Sequence, residues 1–292
     1  MLKYIKNKFK YAKRSGIFIS LFMMVSVILS TYNQPRWLRL VLWGYKYQTT
    51  KDFELVIADD GSDIPTREVI ESMRQEITCP IKHVYQEDMG FRKCTILNKA
   101  VLESTSDYLI FSDGDLIPRM DFVAVHLQMR QPGRFLSGGT VRLSAELSGQ
   151  IGEEEIGSGL CFERRWLEAH GLKRSFKNNK LNSKDLKAWL LNTFTPTGAT
   201  WNGGNASAWK NDIMDVRGFD ERLCYGGEDR EFGERLERMG VKGRQIRYSA
   251  ITLHLDHPRG YIHLPALEFN RNVRRDNRKE GIIRTEYGLN NH

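Results

Sequence analysis

The stretch Asp107-Tyr108-Leu109-Ile110-Phe111-Ser112-Asp113-Gly114-Asp115 decides how this chain reads. Its apolar run is short and rich in aromatic residues, which marks a buried strand rather than a helix. The run ends in two carboxylates separated by one glycine. Carboxylates so spaced at a strand end can hold a hard divalent cation against phosphate oxygens, and glycine lets the backbone come close. The same three residues could also be a plain turn with aspartate caps. The buried strand before them and the apolar Leu116-Ile117-Pro118 after them favour the cation reading.

Upstream, strand-like and helix-like stretches alternate. Val25–Leu29 reads as a strand, Pro35–Tyr47 as a helix with proline near its start, and Phe53–Ala58 as a second strand ending in Asp59-Asp60-Gly61-Ser62. A helix near 65–76, a strand at 81–85 and a helix at 92–104 lead back to Asp107. Such alternation predicts an α/β fold, a mainly parallel sheet with helices on both faces. Ligands sit beyond the carboxyl ends of such strands, where Ser30 and Tyr32, Asp59 and Asp60, and Asp113 and Asp115 all fall.

Composition bounds the rest. At 292 residues, 40% hydrophobic and 27% charged, the chain has an ordinary globular composition, not a disordered or polytopic membrane one. Four scattered cysteines suggest neither a disulfide framework nor a zinc cluster, so a reducing, cytoplasmic setting is expected. The net charge of +8 is uneven: residues 1–51 hold ten Lys or Arg and no acid, leaving the remainder nearly neutral. This argues against nucleic acid, whose binders spread basic charge across the fold. Residues 1–22 read as a basic extension, either solvated or drawn to an anionic membrane surface. Residues 17–29 are too short and too interrupted to span a bilayer, and no small-residue cleavage site follows them.

The second half is less regular. Residues 144–158 and 173–185 read as exposed loops. Gly226-Gly227-Glu228-Asp229 opens a helix whose N-terminus favours ionised carboxylates, as a general base requires. A strand from Ile246 to Leu255 carries His254, with His257 three residues on, a spacing that suits either metal ligation or ordinary hydrogen bonding. A basic helix over 263–280 follows.

Taken in order, Val25–Asn33 (VSVILSTYN), Ile57–Ser62 (IADDGS), Gly90–Asn98 (GFRKCTILN) and Phe111–Asp115 (FSDGD) resemble the N-terminal half of family-2 glycosyltransferases with the GT-A fold. Trp201–Asn205 (WNGGN), Gly218–Glu221 (GFDE), Gly226–Gly233 (GGEDREFG) and His254–His257 (HLDH) resemble the C-terminal segment of β-1,4-galactosyltransferases and bacterial chondroitin-type polymerases. The resemblance covers about residues 24–130 and 195–258. It implies that Ser30 and Tyr32 line the nucleotide pocket, Asp60 binds the uracil ring, Arg92 faces the diphosphate, Asn98 supports the site and Asp113 contacts the ribose or the surroundings of the metal. It places Asp115 and His254 on Mn2+ or Mg2+, with His257 less favoured. Gly203, Gly204 and Asn205 would lie against the donor sugar, with Asp229 as catalytic base and Glu228 as a partner of the acceptor hydroxyl or the donor sugar. Leu29-Ser30 stands where the family usually has Pro before Thr/Ser-Tyr-Asn, and Tyr225 where it often has Trp.

The resemblance implies an inverting, metal-dependent hexosyltransferase acting from a nucleotide-sugar donor, UDP-linked, on a glycan or lipid-linked acceptor. The setting it implies is bacterial lipopolysaccharide, capsule or other surface-glycan synthesis. A basic extension (1–22), a nucleotide-sugar-binding half (23–130), a donor-sugar and acceptor-binding catalytic half (131–262) and a basic helix and tail (263–292) are expected. Peripheral contact with an anionic membrane at the inner face would come from residues 1–22 and 263–280. The competing readings are a non-catalytic nucleotide-sugar-binding protein and a sugar-1-phosphate nucleotidylyltransferase. The latter needs a Gly-rich, Arg-containing loop where this chain has Ser30–Pro35.

Overall fold

The computed structural model describes residues 25–183, 185–257 and 263–289. The basic extension over 1–22 lies outside the described residues.

The chain enters a sheet at β1 (Ser26–Thr31), leaves through α1 (Pro35–Lys46) and returns as β2 (Glu54–Asp59). It continues through α2 (Ile64–Glu76), β3 (Ile81–Tyr85), α3 (Lys93–Glu103) and β4 (Tyr108–Asp113). These four strands are parallel, in the order β3-β2-β1-β4. Successive side chains of a strand face opposite ways, and here both sides are apolar. Val27, Leu29, Leu55 and Ile57 pack with Leu38, Val41, Leu42 and Tyr45 of α1, which share one helix face. Ile28, Val56, Leu109 and Phe111 pack on the other side with Leu97, Ala100 and Val101 of α3.

After β4 the topology becomes mixed. β5 (Leu116–Pro118), α4 (Phe122–Met129), β6 (Arg134–Ser137) and β7 (Gly139–Arg142) precede short helices α5 (Ala145–Gly149), α6 (Glu153–Gly157) and α7 (Arg164–Ala169). Then come α8 (Asp185–Phe194), β8 (Asn205–Trp209), α9 (Lys210–Asp215), α10 (Glu228–Met239), β9 (Lys242–Gln245), β10 (Ile251–His254) and α11 (Leu264–Lys279). Among the described residues the main sheet is seven-stranded, β3-β2-β1-β4-β8-β6-β9, with β8 antiparallel to both neighbours. A three-stranded sheet, β5-β10-β7, sits beside it.

The two expected loops hold local structure. In 144–158 the Ser144 hydroxyl accepts from the Leu147 N–H, and Glu155 accepts from the Gly152 N–H at 2.9 Å, each starting a short helix. Residues 176–182 form a 3₁₀ turn. The strand expected over 246–255 is shorter, because Ser249 and Ala250 both donate to the Ile246 carbonyl and form a turn before β10.

One buried ion pair braces the second half. Arg235 and Glu231, on one face of α10, meet through two hydrogen bonds of 2.7 and 2.9 Å with no solvent exposure. Arg235 also donates to the carbonyls of Val216 and Gly218, and Asn277 of α11 donates to Glu231. Removing one partner strands a buried charge. Arg235→Ala is therefore expected to destabilise the fold by about 3–5 kcal/mol in chemical denaturation.

Candidate active site

The register of β1 on β4 places Ser30 directly beside Asp113. The Ser30 hydroxyl donates to Asp113 Oδ1 at 2.5 Å, and Lys93, the first residue of α3, donates to the same oxygen at 2.6 Å. Burial works against the charge on Asp113, but Lys93 and Ser30 hold its carboxyl below the usual range. Burial likewise disfavours the Lys93 ammonium, yet the fields of Asp113, Asp229 and Glu228 raise its pKa above the ordinary lysine value.

Two glycines connect this cluster to α10. A Cβ on Gly204 would strike Leu116 and come within 2.8 Å of Asp113 Oδ2, and a Cβ on Gly203 would strike the Asp229 carboxylate. The Gly203 N–H donates to Asp229 Oδ2 at 3.1 Å. Gly226 and Gly227, at φ +105° and +111°, make the left-handed turn that starts α10, a conformation other residues adopt at a cost. Glu228 Oε2 accepts from the Gly226 N–H at 2.7 Å. Asp229 Oδ1 is shielded from solvent and has no hydrogen-bond partner among the described residues. Burial pushes the Asp229 carboxyl up to about 7; Glu228 and Asp113 add to the rise, while Lys93 and the Gly203 N–H oppose it.

The third group lies two residues beyond Asp113. β10 pairs with β5 so that His254 sits opposite Leu116, and the Leu255 N–H binds the Asp115 carbonyl. Asp115 Oδ2 lies 2.7 Å from His257 Nε2 and 3.6 Å from His254 Nε2. One ligand atom from each of the three falls within 4.8 Å of the others. Asp115 Oδ1 is buried and has no hydrogen-bond partner among the described residues, as fits a ligand oxygen. Two imidazoles and a carboxylate suit a first-row divalent ion such as Mn2+ better than Mg2+, which prefers oxygen. His257 thus stands in the cluster on equal terms with His254.

The remaining residues singled out in the sequence fall into two groups. Asp60, at the end of β2, accepts from Gln86 at 2.5 Å and from the Arg92 backbone N–H at 2.9 Å; burial raises its pKa. Tyr32 is exposed and donates to Asp88. The Arg92 guanidinium is turned toward Met89. Asn98 and Asn205 lie one layer behind, both fully buried. Asn98 binds both backbone groups of Phe219 and the Glu221 carboxylate. Asn205 ties Gly139 to Ala250 and meets His126. Asp59 is spent on the Ser62 N–H and His83. Lys93 was missed in the sequence, where Arg92 takes the basic role in the same motif. The only advance cue was its place at the first turn of the helix facing Asp113. A cavity of about 1160 Å3, walled partly by Arg119, Phe162 and Trp189, reaches Ser249, which precedes β10, the strand that His254 ends.

Residues 26–144 match the model of glycosyl transferase family 2. Over that stretch the chain is similar to family-2 glycosyl transferases. Residues 193–258 match a second model, described as the N-terminal domain of galactosyltransferase. The chain is 27% identical over 236 residues to validoxylamine A glucosyltransferase of Streptomyces hygroscopicus subsp. jinggangensis, covering 75% of this chain and 52% of that protein. It is 24% identical to chondroitin synthase of Escherichia coli, covering 80% of this chain and 35% of that one. The chain thus spans about half or less of these relatives. Among solved structures, the mannosyltransferase PcManGT of Pyrobaculum calidifontis, in complex with GDP-Man and Mn2+, superposes with a TM-score of 0.54 at 17% identity, covering 89% of this chain and 65% of that one. S. aureus TarS 1–349, in complex with UDP-GlcNAc, superposes at 0.53 and 16%, covering 82% and 60%. The fold is GT-A.

Two outcomes follow from this geometry. The Asp229 carboxyl, raised to about 7, costs stability as pH rises from the unfolded aspartate value toward 7, and the cost is full above that. Asp229→Asn keeps an acceptor for Gly203 and removes this cost. It should stabilise the fold by a few kcal/mol at pH 8, at about 1.4 kcal/mol per pKa unit, and leave it nearly unchanged at pH 4, as read from the melting temperature at each pH. Mn2+ should stabilise the native chain in thermal melts. His257→Ala should weaken that effect at least as much as loss of an outer-shell partner, roughly 10–100-fold in metal affinity.

Proposed function

We propose that this chain is an inverting, metal-dependent glycosyltransferase that moves a sugar from a UDP-linked donor to a hydroxyl of a glycan or lipid-linked glycan. The observation that carries the reading is the placement of Asp229. A half-buried carboxylate with one unpartnered oxygen stands across two glycines from the strand end that bears Asp113 and Asp115.

In this reading Asp60 and Tyr32 border the base and ribose, and Ser30 and Lys93 fix Asp113 against the sugar nucleotide. Gly203 and Gly204 leave room for the donor sugar where any side chain would collide with Asp229 or Asp113. Asp115, His254 and His257 would hold Mn2+ or Mg2+. When bound, the ion supplies positive charge to the leaving diphosphate. Asp229 takes the proton of the attacking acceptor hydroxyl as the new bond forms at the anomeric carbon and the carbon–oxygen bond to the diphosphate breaks from the opposite face. A carboxylate raised toward neutrality suits a base better than an ordinary one, because it holds a proton more readily in the transition state. Lys93 lies close enough to offset part of the negative charge gathered by Asp113, Glu228 and Asp229.

UDP is preferred as the nucleotide because a structural neighbour was solved with UDP-GlcNAc. Mn2+ is preferred because another was solved with Mn2+ and because two histidines join the cluster. A role in bacterial surface glycans, as polysaccharide or lipopolysaccharide, is consistent with a chondroitin synthase among the relatives.

The test is a panel of nucleotide sugars with Mn2+, followed by product analysis. Asp229→Asn should lower turnover by about 10²–10⁴-fold, the usual worth of general-base assistance, with donor affinity nearly unchanged. In the native enzyme, turnover should rise with pH through about 7, where Asp229 loses its proton. Equal loss of turnover and donor binding in the variant would remove Asp229 from the base role. The absence of metal-dependent sugar transfer with every donor would remove the reading itself.

A further inference from the structure

The helix α8 is packed backwards for a water-soluble surface. At about 100° per residue, Ala188, Leu191 and Asn192 share one face of it. That face is anchored: Ala188 is buried, Asn192 donates to Ser249, and the Tyr248 N–H donates to Asn192. The opposite face carries Leu186, Trp189, Leu190 and Phe194. Their exposures are 68%, 53%, 41% and 71%, and Phe176 in the preceding turn is 70% exposed. An amphipathic helix normally turns such residues inward. Here they point out together, as a contiguous apolar patch rather than scattered single residues.

The charges along the segment that carries the patch are mostly basic. Residues 173–187 contain six Lys or Arg and a single acid, Asp185. Lys173, Arg174, Lys177 and Lys187 are exposed. A helix that presents Trp, Phe and Leu beside basic residues has the chemistry of the lipid–water interface, where aromatic and aliphatic side chains enter the acyl boundary and cations meet anionic headgroups. An apolar protein partner would account for the four large side chains but not for the basic rim.

We propose that residues 173–194 form a peripheral docking surface for an anionic lipid bilayer. In sequence this surface is distinct from residues 1–22 and from α11. Ser249, which anchors α8, precedes β10, and His254 ends that strand, so the helix and the Asp115 cluster adjoin opposite ends of it. The inference is independent of the transferase reading.

The test is co-sedimentation of the full chain with phosphatidylcholine vesicles, with and without phosphatidylglycerol, at low and high salt. The native chain should bind the anionic vesicles and be released by salt. The triple variant Leu186→Gln, Trp189→Gln, Phe194→Gln and the triple variant Lys173→Ser, Lys177→Ser, Lys187→Ser should each weaken binding by about tenfold or more. Both alter exposed positions, and thermal stabilisation by Mn2+ should match the native chain in both. The proposal is overturned by absence of binding, by undiminished binding in either variant, or by equal binding to neutral vesicles. It is also overturned if light scattering shows a native dimer that the apolar variant converts to monomer, since the face would then join two copies of the chain.

Discussion

Three carboxylates, Asp113, Glu228 and Asp229, gather around one half-buried ammonium, Lys93, where the ends of β1 and β4 meet the start of α10. Like charges brought together out of water repel, and the repulsion is tolerable only where a cation and hydrogen-bond donors are fixed among them. Asp113 is given Lys93 and Ser30, Glu228 the Gly226 N–H, and Asp229 the Gly203 N–H. One oxygen of Asp229 is left over. Burial and that imbalance together lift its proton affinity.

The glycines are the steric side of the same constraint. Gly203 and Gly204 are not loose linkers; each has an aspartate where its Cβ would stand. Gly114 is similarly pinned, with Ser30 and Thr31 within 3.2 Å of an added Cβ. Backbone therefore runs close against carboxylates at two points and against the end of β1 at a third, which brings strand ends from distant parts of the sequence to one small volume.

The parallel half of the fold was legible because its physics is local. Short apolar strands ended in acids, and helices such as α1 repeated apolar residues at turn spacing; both patterns are set within a dozen residues. The boundaries of β1 and β10 moved because ladder pairing and a turn at 246–250, not propensity, decide where a strand begins. Asp115 and His254 could be singled out from spacing and resemblance, but the standing of His257 depended on the path of the chain after β10. Lys93 escaped because its role is defined by a partner 20 residues away and by a helix start that aims it there. Asn98 and Asn205 looked like ligand-facing residues in their motifs. Only the folded chain reveals that their amides are spent on neighbouring backbone and side chains.

The brace at α11 has a consequence for biosynthesis. Asn270 spans the carbonyls of Cys224 and Gly226, Leu267 fills the space over Gly226, and Arg274 and Arg278 grip Glu234. A nascent chain that has emerged only through His257 already owns every acid and histidine of the cluster, yet the turn that aims Asp229 still lacks its outer wall. Assembly of this corner thus waits on α11.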